Sequence, residues 1–319
     1  MATTDTSGAG NPVRDLRADL TSLATEARRS DLSGIDRMAT EDIVRTMNAE
    51  DATVAPAVRA VSGAVAAAVD AVAARMASGG RLVYVGAGTA GRLGVLDASE
   101  CPPTFNSDPE QVIGLIAGGP AAIDSAVEGA EDDERAAAAD LDALDLTPED
   151  TVVGVSASGR TPYTVAAVAH AARRGALTVG VSSNPGSPLG AAAAHAIEVD
   201  TGPELLAGST RLKAGTAQKL VLNTLSTVAM IRLGKTYGNL MVDVRSSNEK
   251  LRARAHRIVE MATGAGDDEV RQALSASGGD VKTAILTILG RVDAAEAARL
   301  LGACGGRLRE AVEAAAPGG

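Results

Sequence analysis

The sequence predicts a doubly wound α/β fold, a parallel sheet with helices on both faces, extended by helices at both ends. Three observations predict it. Short apolar, β-branched runs at residues 82–85, 112–117, 151–155, 176–181 and 196–199 alternate with helical patterns, the texture of strands buried on both sides. Two of those runs lead into loops of glycine and hydroxyl residues that open a helix. From about residue 248 the strand-like runs cease.

Taken in order, the first dozen residues read as a polar tail, and 15–29 and 40–48 carry helical periodicity. Thr40 is placed to cap the second of these, with Glu41 and Asp42 in its first turn. Residues 54–76 read as one long Ala/Val-rich helix ended by Gly79-Gly80. Between the strands, helices are expected at 93–98, 120–141, 162–173 and 188–194, and a long helix follows at 210–233. Four helical pieces close the chain, at 248–262, 267–276, 281–289 and 293–303. The expected divisions are a tail with helices (1–53), a large α/β domain (54–235) and a helical region (236–319).

The chain's 319 residues suffice for one large domain and a smaller appendage. Aromatics make up only 1%, so the core must be Ala, Val, Leu and Ile. With a net charge of −10 and no long basic run, a nucleic-acid partner is not expected. An anionic ligand would have to be held by local cations and backbone N–H groups. Cys101 and Cys304 match no metal or redox spacing, which points to a reducing compartment. Residues 1–11 are polar and include Asp5, so no signal peptide is read there. Arg59, Asp70 and Arg75 interrupt the apolar stretch 54–77, and a soluble, cytoplasmic protein without a membrane partner is expected.

Gly86-Ala87-Gly88-Thr89-Ala90-Gly91 spells the dinucleotide fingerprint, with glycines that let the backbone approach an anion at a helix start. The acidic residue expected at the end of the next strand is missing, because 112–117 runs into Gly118-Gly119. Ser156-Ala157-Ser158-Gly159-Arg160-Thr161 also joins a strand to a helix, with Pro162 in the first turn. Its three hydroxyls can converge on one phosphate; the plainer alternative is N-capping, which one hydroxyl would satisfy.

These loops resemble those of the sugar isomerase (SIS) fold. More narrowly, GAGTAGRLGVLDASECPPTF (86–105), LIAGG (115–119), VEGAEDD (127–133), ASGRTPY (157–163), SSNPGS (182–187), GSTRLKAGTAQKLVLN (208–223) and GNLMVDV (238–244), with EDIVRTMNAED (41–51), resemble the N-acetylmuramic acid 6-phosphate etherases. Ala90 stands where many members have serine. The resemblance implies phosphate binding by Gly88, Thr89, Ser156, Ser158, Gly159 and Thr161. It also implies that 54–235 is a phosphosugar domain and that the chain is a homodimer, since sites of this fold commonly lie where subunits meet.

The family's reaction removes D-lactate from C3 of an open-chain sugar, with water replacing it. A base takes the C2 proton, acidic beside the C1 aldehyde, and an acid protonates the departing oxygen. This chemistry requires no metal or organic cofactor. By resemblance Glu100 is the proton donor to the lactate oxygen. Expected on one helix 120–141, Glu131 and Glu134 both lie on or near the apolar stripe through Ile123, Val127 and Ala130, and periodicity cannot separate them. The family block selects Glu131, as the base at C2. Lys213, a cation at a helix start where the dipole opposes it, is a candidate for the lactyl carboxylate. His170 and His195 have no metal-spaced partner, and Cys101 has no nearby histidine to make it a nucleophile. Residues 267–303 resemble a ubiquitin-associated-type three-helix unit, read as a packing module rather than a ubiquitin binder. Two other functions share the loops: an aldose–ketose phosphosugar isomerase, and a non-catalytic sensor like the glucokinase regulatory protein.

Overall fold

The structure, a computed structural model, describes residues 23–244 and 249–316. The expected tail, the stretch 15–22 and Asn248 lie outside the described residues. What is described of 15–29 is a 3₁₀ turn, Ala24–Glu26, rather than an α-helix; two more such turns, Ser30–Leu32 and Ile35–Arg37, precede the first α-helix.

Helices α1 (Thr40–Asp51), α2 (Val54–Ala60) and α3 (Ser62–Ala77) lead to β1 (Leu82–Gly86) and α4 (Gly88–Phe105). Then come β2 (Val112–Ile116), the short α5 (Ala121–Asp124), α6 (Glu134–Asp142), β3 (Thr151–Val155) and α7 (Pro162–Arg173). β4 (Leu177–Ser182), α8 (Pro188–Ala192), β5 (His195–Glu198) and α9 (Lys213–Arg232) complete the α/β part. The strands pair in parallel in the order β2-β1-β3-β4-β5, with Leu82 opposite both Val112 and Thr151. Both faces are covered, as expected. Alternation along β1 sends Leu82 and Tyr84 into the cluster shared with α3, α4 and α9, and Val83 and Val85 into the one shared with α6 and α7.

Ala39, not Thr40, holds the cap position of α1, and three more expected helices differ from the sequence reading. The helix expected over 54–76 is broken at Val61, where the stretch Thr40–Ala60 meets Ser62–Ala77 at 61°, and α2 and α3 both pack on α9. The helix expected at 93–98 is far longer and runs through Pro102 and Pro103 to an end at Asn106, where φ is 50°. The helix expected over 120–141 does not exist as one element: Ser125 is extended, Gly129 has φ +73°, and a 3₁₀ turn, Ala130–Asp132, separates α5 from α6.

Beyond α9 a two-residue-per-strand hairpin, β6 (Thr236–Tyr237) with β7 (Leu240–Met241), leads to α10 (Glu249–Thr263), α11 (Asp267–Ala276), α12 (Val281–Gly290), α13 (Ala294–Ala303) and α14 (Leu308–Ala315). The hairpin and α14 were not foreseen. One apolar cluster spans all five helices, including Val259, Val270, Ile285, Leu301 and Leu308, so residues 267–303 share their core with α10 and α14. Lys282 of α12 reaches Asp243 at 2.9 Å, and Lys235, just past α9, reaches the same carboxylate at 3.0 Å, tying this region to the α/β part.

Candidate functional site

The strand order reverses direction between β1 and β3, and an open α/β sheet receives ligands at that point, beyond the carboxyl ends of the strands. The two sequence-predicted loops follow these two strands. A cavity of about 340 Å³ lies there, lined by Ala87, Gly88, Thr89 and Ala90 from one loop and by Ser156, Ala157, Ser158 and Thr161 from the other.

In the first loop, glycine serves close packing. A Cβ on Gly91 would stand 2.6 Å from the Gly86 carbonyl oxygen, so the start of α4 can lie against the end of β1 only without side chains. The first N–H groups of α4, which have no intrahelical acceptors, are not capped by the side chain at its N-cap position, Ala87, beside the cavity. In the second loop, Ser156 Oγ lies 2.9 Å from Thr161 Oγ1 and 3.3 Å from Ser158 Oγ. Thr161 occupies the cap position of α7, yet its side chain makes no capping bond. The hydroxyls converge on one another, which N-capping alone would not produce. Gly159, at φ +68°, has no room for a Cβ, which would meet Ser187 Cβ at 2.4 Å.

Glu131 stands on the wall of this cavity and of an adjoining one of about 310 Å³, which also shares Ala87 and Gly88. Gly118 explains how it arrives there. A Cβ on Gly118 would be 2.9 Å from Val127 Cβ, so glycine lets the segment after β2 fold back over the sheet end. Glu134, the alternative that periodicity left open, lines neither cavity and begins α6. Glu131 is exposed, not on a buried helical stripe, because the helix that would have made that stripe is broken.

Glu100 is not brought together with these groups within one chain. It lies exposed twelve residues into α4 from Gly88, about 18 Å along the helix axis. One turn earlier, buried Asp97 accepts hydrogen bonds from Tyr84 Oη at 2.8 Å and Asn223 Nδ2 at 2.6 Å, clamping α4 to β1 and α9. Burial, and then the Asp97 carboxylate, push the Cys101 thiol up to about 12, so it stays protonated.

Lys213 is 4% exposed, and its Nζ donates to Glu50 Oε2 at 2.8 Å instead of lining the cavity. Lys213, then Arg29, hold the Glu50 carboxyl below its ordinary value. Glu204, itself buried, accepts from the backbone N–H groups of Lys213 and Ala214, at 2.9 Å each, at the start of α9.

Sequence reasoning missed Leu23, Glu26, Thr210 and Gln218, which complete the cavity. Residues 23–26 are laced to the second loop through Asn184, whose Oδ1 accepts from Ala24 N at 3.0 Å and whose Nδ2 donates to Ala157 O at 2.9 Å. No motif signals this, since the contact joins positions some 160 residues apart. Among the described residues no three His, Cys, Asp or Glu side chains group as metal ligands would.

Residues 64–172 match the family described as glucokinase regulatory protein N-terminal SIS domain, and residues 133–228 match the SIS domain. The N-acetylmuramic acid 6-phosphate etherase of Streptomyces avermitilis is 67% identical, over 95% of this chain and 97% of that one. The etherase of Rubrobacter xylanophilus is 58% identical, over 88% and 93%. Among solved structures, the Vibrio vulnificus NanR protein complexed with ManNAc-6P is 14% identical with a TM-score of 0.43, over 70% of this chain and 71% of that one. From the identity to curated relatives over nearly their whole length, the chain belongs to the N-acetylmuramic acid 6-phosphate etherase family.

Proposed function

We propose that this chain cleaves the D-lactyl ether of N-acetylmuramic acid 6-phosphate, giving N-acetylglucosamine 6-phosphate and D-lactate. The observation that supports it most is the convergence of Ser156, Ser158 and Thr161 at the switch-point cavity, with the Glu131 carboxylate on the same wall.

The three hydroxyls, Thr89 and the first N–H groups of α4 surround the phosphate, and Gly88 and Gly159 let the backbone approach it. Ala90 contributes a methyl, not a fifth hydroxyl. With the phosphate anchored, Glu131 takes the C2 proton of the open-chain sugar. The electrons form the C2–C3 double bond, and the C3–O bond breaks. The lactate oxygen leaves with a proton from Glu100. Water then adds at C3, giving its proton to the Glu100 carboxylate, while C2 recovers a proton from Glu131. Each such group contributes typically about 10²–10⁴-fold.

Because Glu100 lies some 18 Å along α4 from the phosphate loop, it acts in the cavity of a second copy, and the working protein is a cytoplasmic homodimer. The layout is a phosphosugar domain at 54–235, preceded by the tail and helices of 1–53 and followed by the helical region 236–319.

The test is incubation with N-acetylmuramic acid 6-phosphate in H₂¹⁸O. D-lactate release with ¹⁸O at C3 is expected. A ketose product would identify an isomerase, and tight binding without turnover a sensor.

A further inference from the structure

The substrate of the proposed reaction is a double anion, with a phosphate at one end and the carboxylate of its lactyl group at the other. The hydroxyl loops provide for the first. For the second, the cavity adjoining the phosphate cavity has the right composition. It is separated from the phosphate cavity by Ala87, Gly88 and Glu131, which line both. Its far wall is small and apolar: Ala117, Ala122, Ala126 and Val127. Among the described residues Arg92, half-buried, is the one cationic residue lining it, and two carboxylates, Glu128 and Glu131, stand there with it.

The hydrogen bonding of Arg92 leaves its charge available. Its Nε donates to the Ile123 carbonyl oxygen at 2.9 Å, which ties the guanidinium to α5, the short helix just before the segment that bears Glu131. Among the described residues its terminal amino groups have no acceptor and it forms no ion pair. Lys213, by contrast, already has Glu50 as its partner at 2.8 Å. A guanidinium offers a planar pair of N–H donors matched to a carboxylate.

We propose that Arg92 and the small apolar wall around it form the lactyl subsite, the guanidinium holding the lactyl carboxylate and the alanine and valine side chains receiving its methyl group. The placement puts the lactyl ether beside Glu131, between the two anionic ends of the substrate. Arg92 then selects for the ether substrate against phosphosugars that lack a lactyl group. This rests on the assignment of the phosphate to the hydroxyl loops.

The test is steady-state kinetics of Arg92→Met, which keeps an aliphatic stem, beside inhibition by N-acetylglucosamine 6-phosphate, which has the phosphate but no lactyl group. Losing a charge-assisted hydrogen bond of this kind is expected to raise KM for the ether substrate about tenfold to a hundredfold, with the inhibition constant of N-acetylglucosamine 6-phosphate unchanged. Arg92→Lys should recover part of the loss. A parallel rise in both constants, the signature of a merely structural role, overturns the proposal, and so does no change in either. Failure of the phosphate assignment would look different: Ser156→Ala would then leave both constants at their original values, whatever Arg92→Met does.

Discussion

Ser156 is the residue on which the proposed phosphate cavity turns. Its Oγ accepts from Gly159 N at 3.1 Å, and it meets both other hydroxyls of the loop. Replacing it with alanine removes a donor to the phosphate and the partner that orients Thr161. KM is expected to rise about tenfold, the cost of one hydrogen bond to a charged group, with little change in kcat; steady-state kinetics checks it. The three hydroxyls were legible in the sequence because all come from one six-residue loop, whose spacing fixes their meeting. Glu131 was not separable from Glu134 by periodicity, because Gly129 breaks the helix that the periodicity assumed. Only the family block selected it. Glu26, Thr210 and Gln218 were invisible for another reason: tertiary packing brings them to the cavity from segments that carry no local signal.

At the scale of elements, α4 links two ends of the proposed chemistry. Its first turn borders the proposed phosphate cavity and its later turns bear Glu100, so the angle at which it lies matters at both. The Asp97–Tyr84–Asn223 clamp sets that angle. Tyr84 is fully buried, and Asp97 is the acceptor for its hydroxyl, burial and then the neighbouring carboxylate keeping the phenol protonated. Asp97→Ala would leave the Tyr84 hydroxyl and the Asn223 amide without that acceptor, at a cost of about 2–4 kcal/mol. Denaturant unfolding should show it, as a lower midpoint. The strands of this part were readable from their β-branched runs to within a residue or so, and α7 and α11 to the residue. The extent of α4 was not, because two consecutive prolines normally end a helix. Here the turn simply continues without their N–H groups to Asn106.

At the scale of the molecule, the proposed chemistry needs Glu100 and Glu131 in one site. The fold places them apart in one chain and the proposed homodimer brings one from each copy. Mixing the inactive variants Glu100→Gln and Glu131→Gln tests this. In a mixed dimer one composite site bears both changes and the other bears neither, so about a quarter of wild-type activity should return after subunit exchange. If each chain contains a whole site, the mixture stays inactive. The doubly wound architecture itself was fully legible from the alternation of runs and helices. The shared core of α10 to α14 was less so, since short amphipathic helices announce a buried face but not which neighbour covers it.

The central step of the proposed reaction is removal of the C2 proton by the Glu131 carboxylate. Its most direct test is ²H incorporation at C2 of N-acetylglucosamine 6-phosphate in ²H₂O, followed by NMR for the protein and for Glu131→Gln. Exchange is expected with the unaltered chain and should fall about 10²–10⁴-fold in the variant. Exchange at an undiminished rate in Glu131→Gln would contradict it.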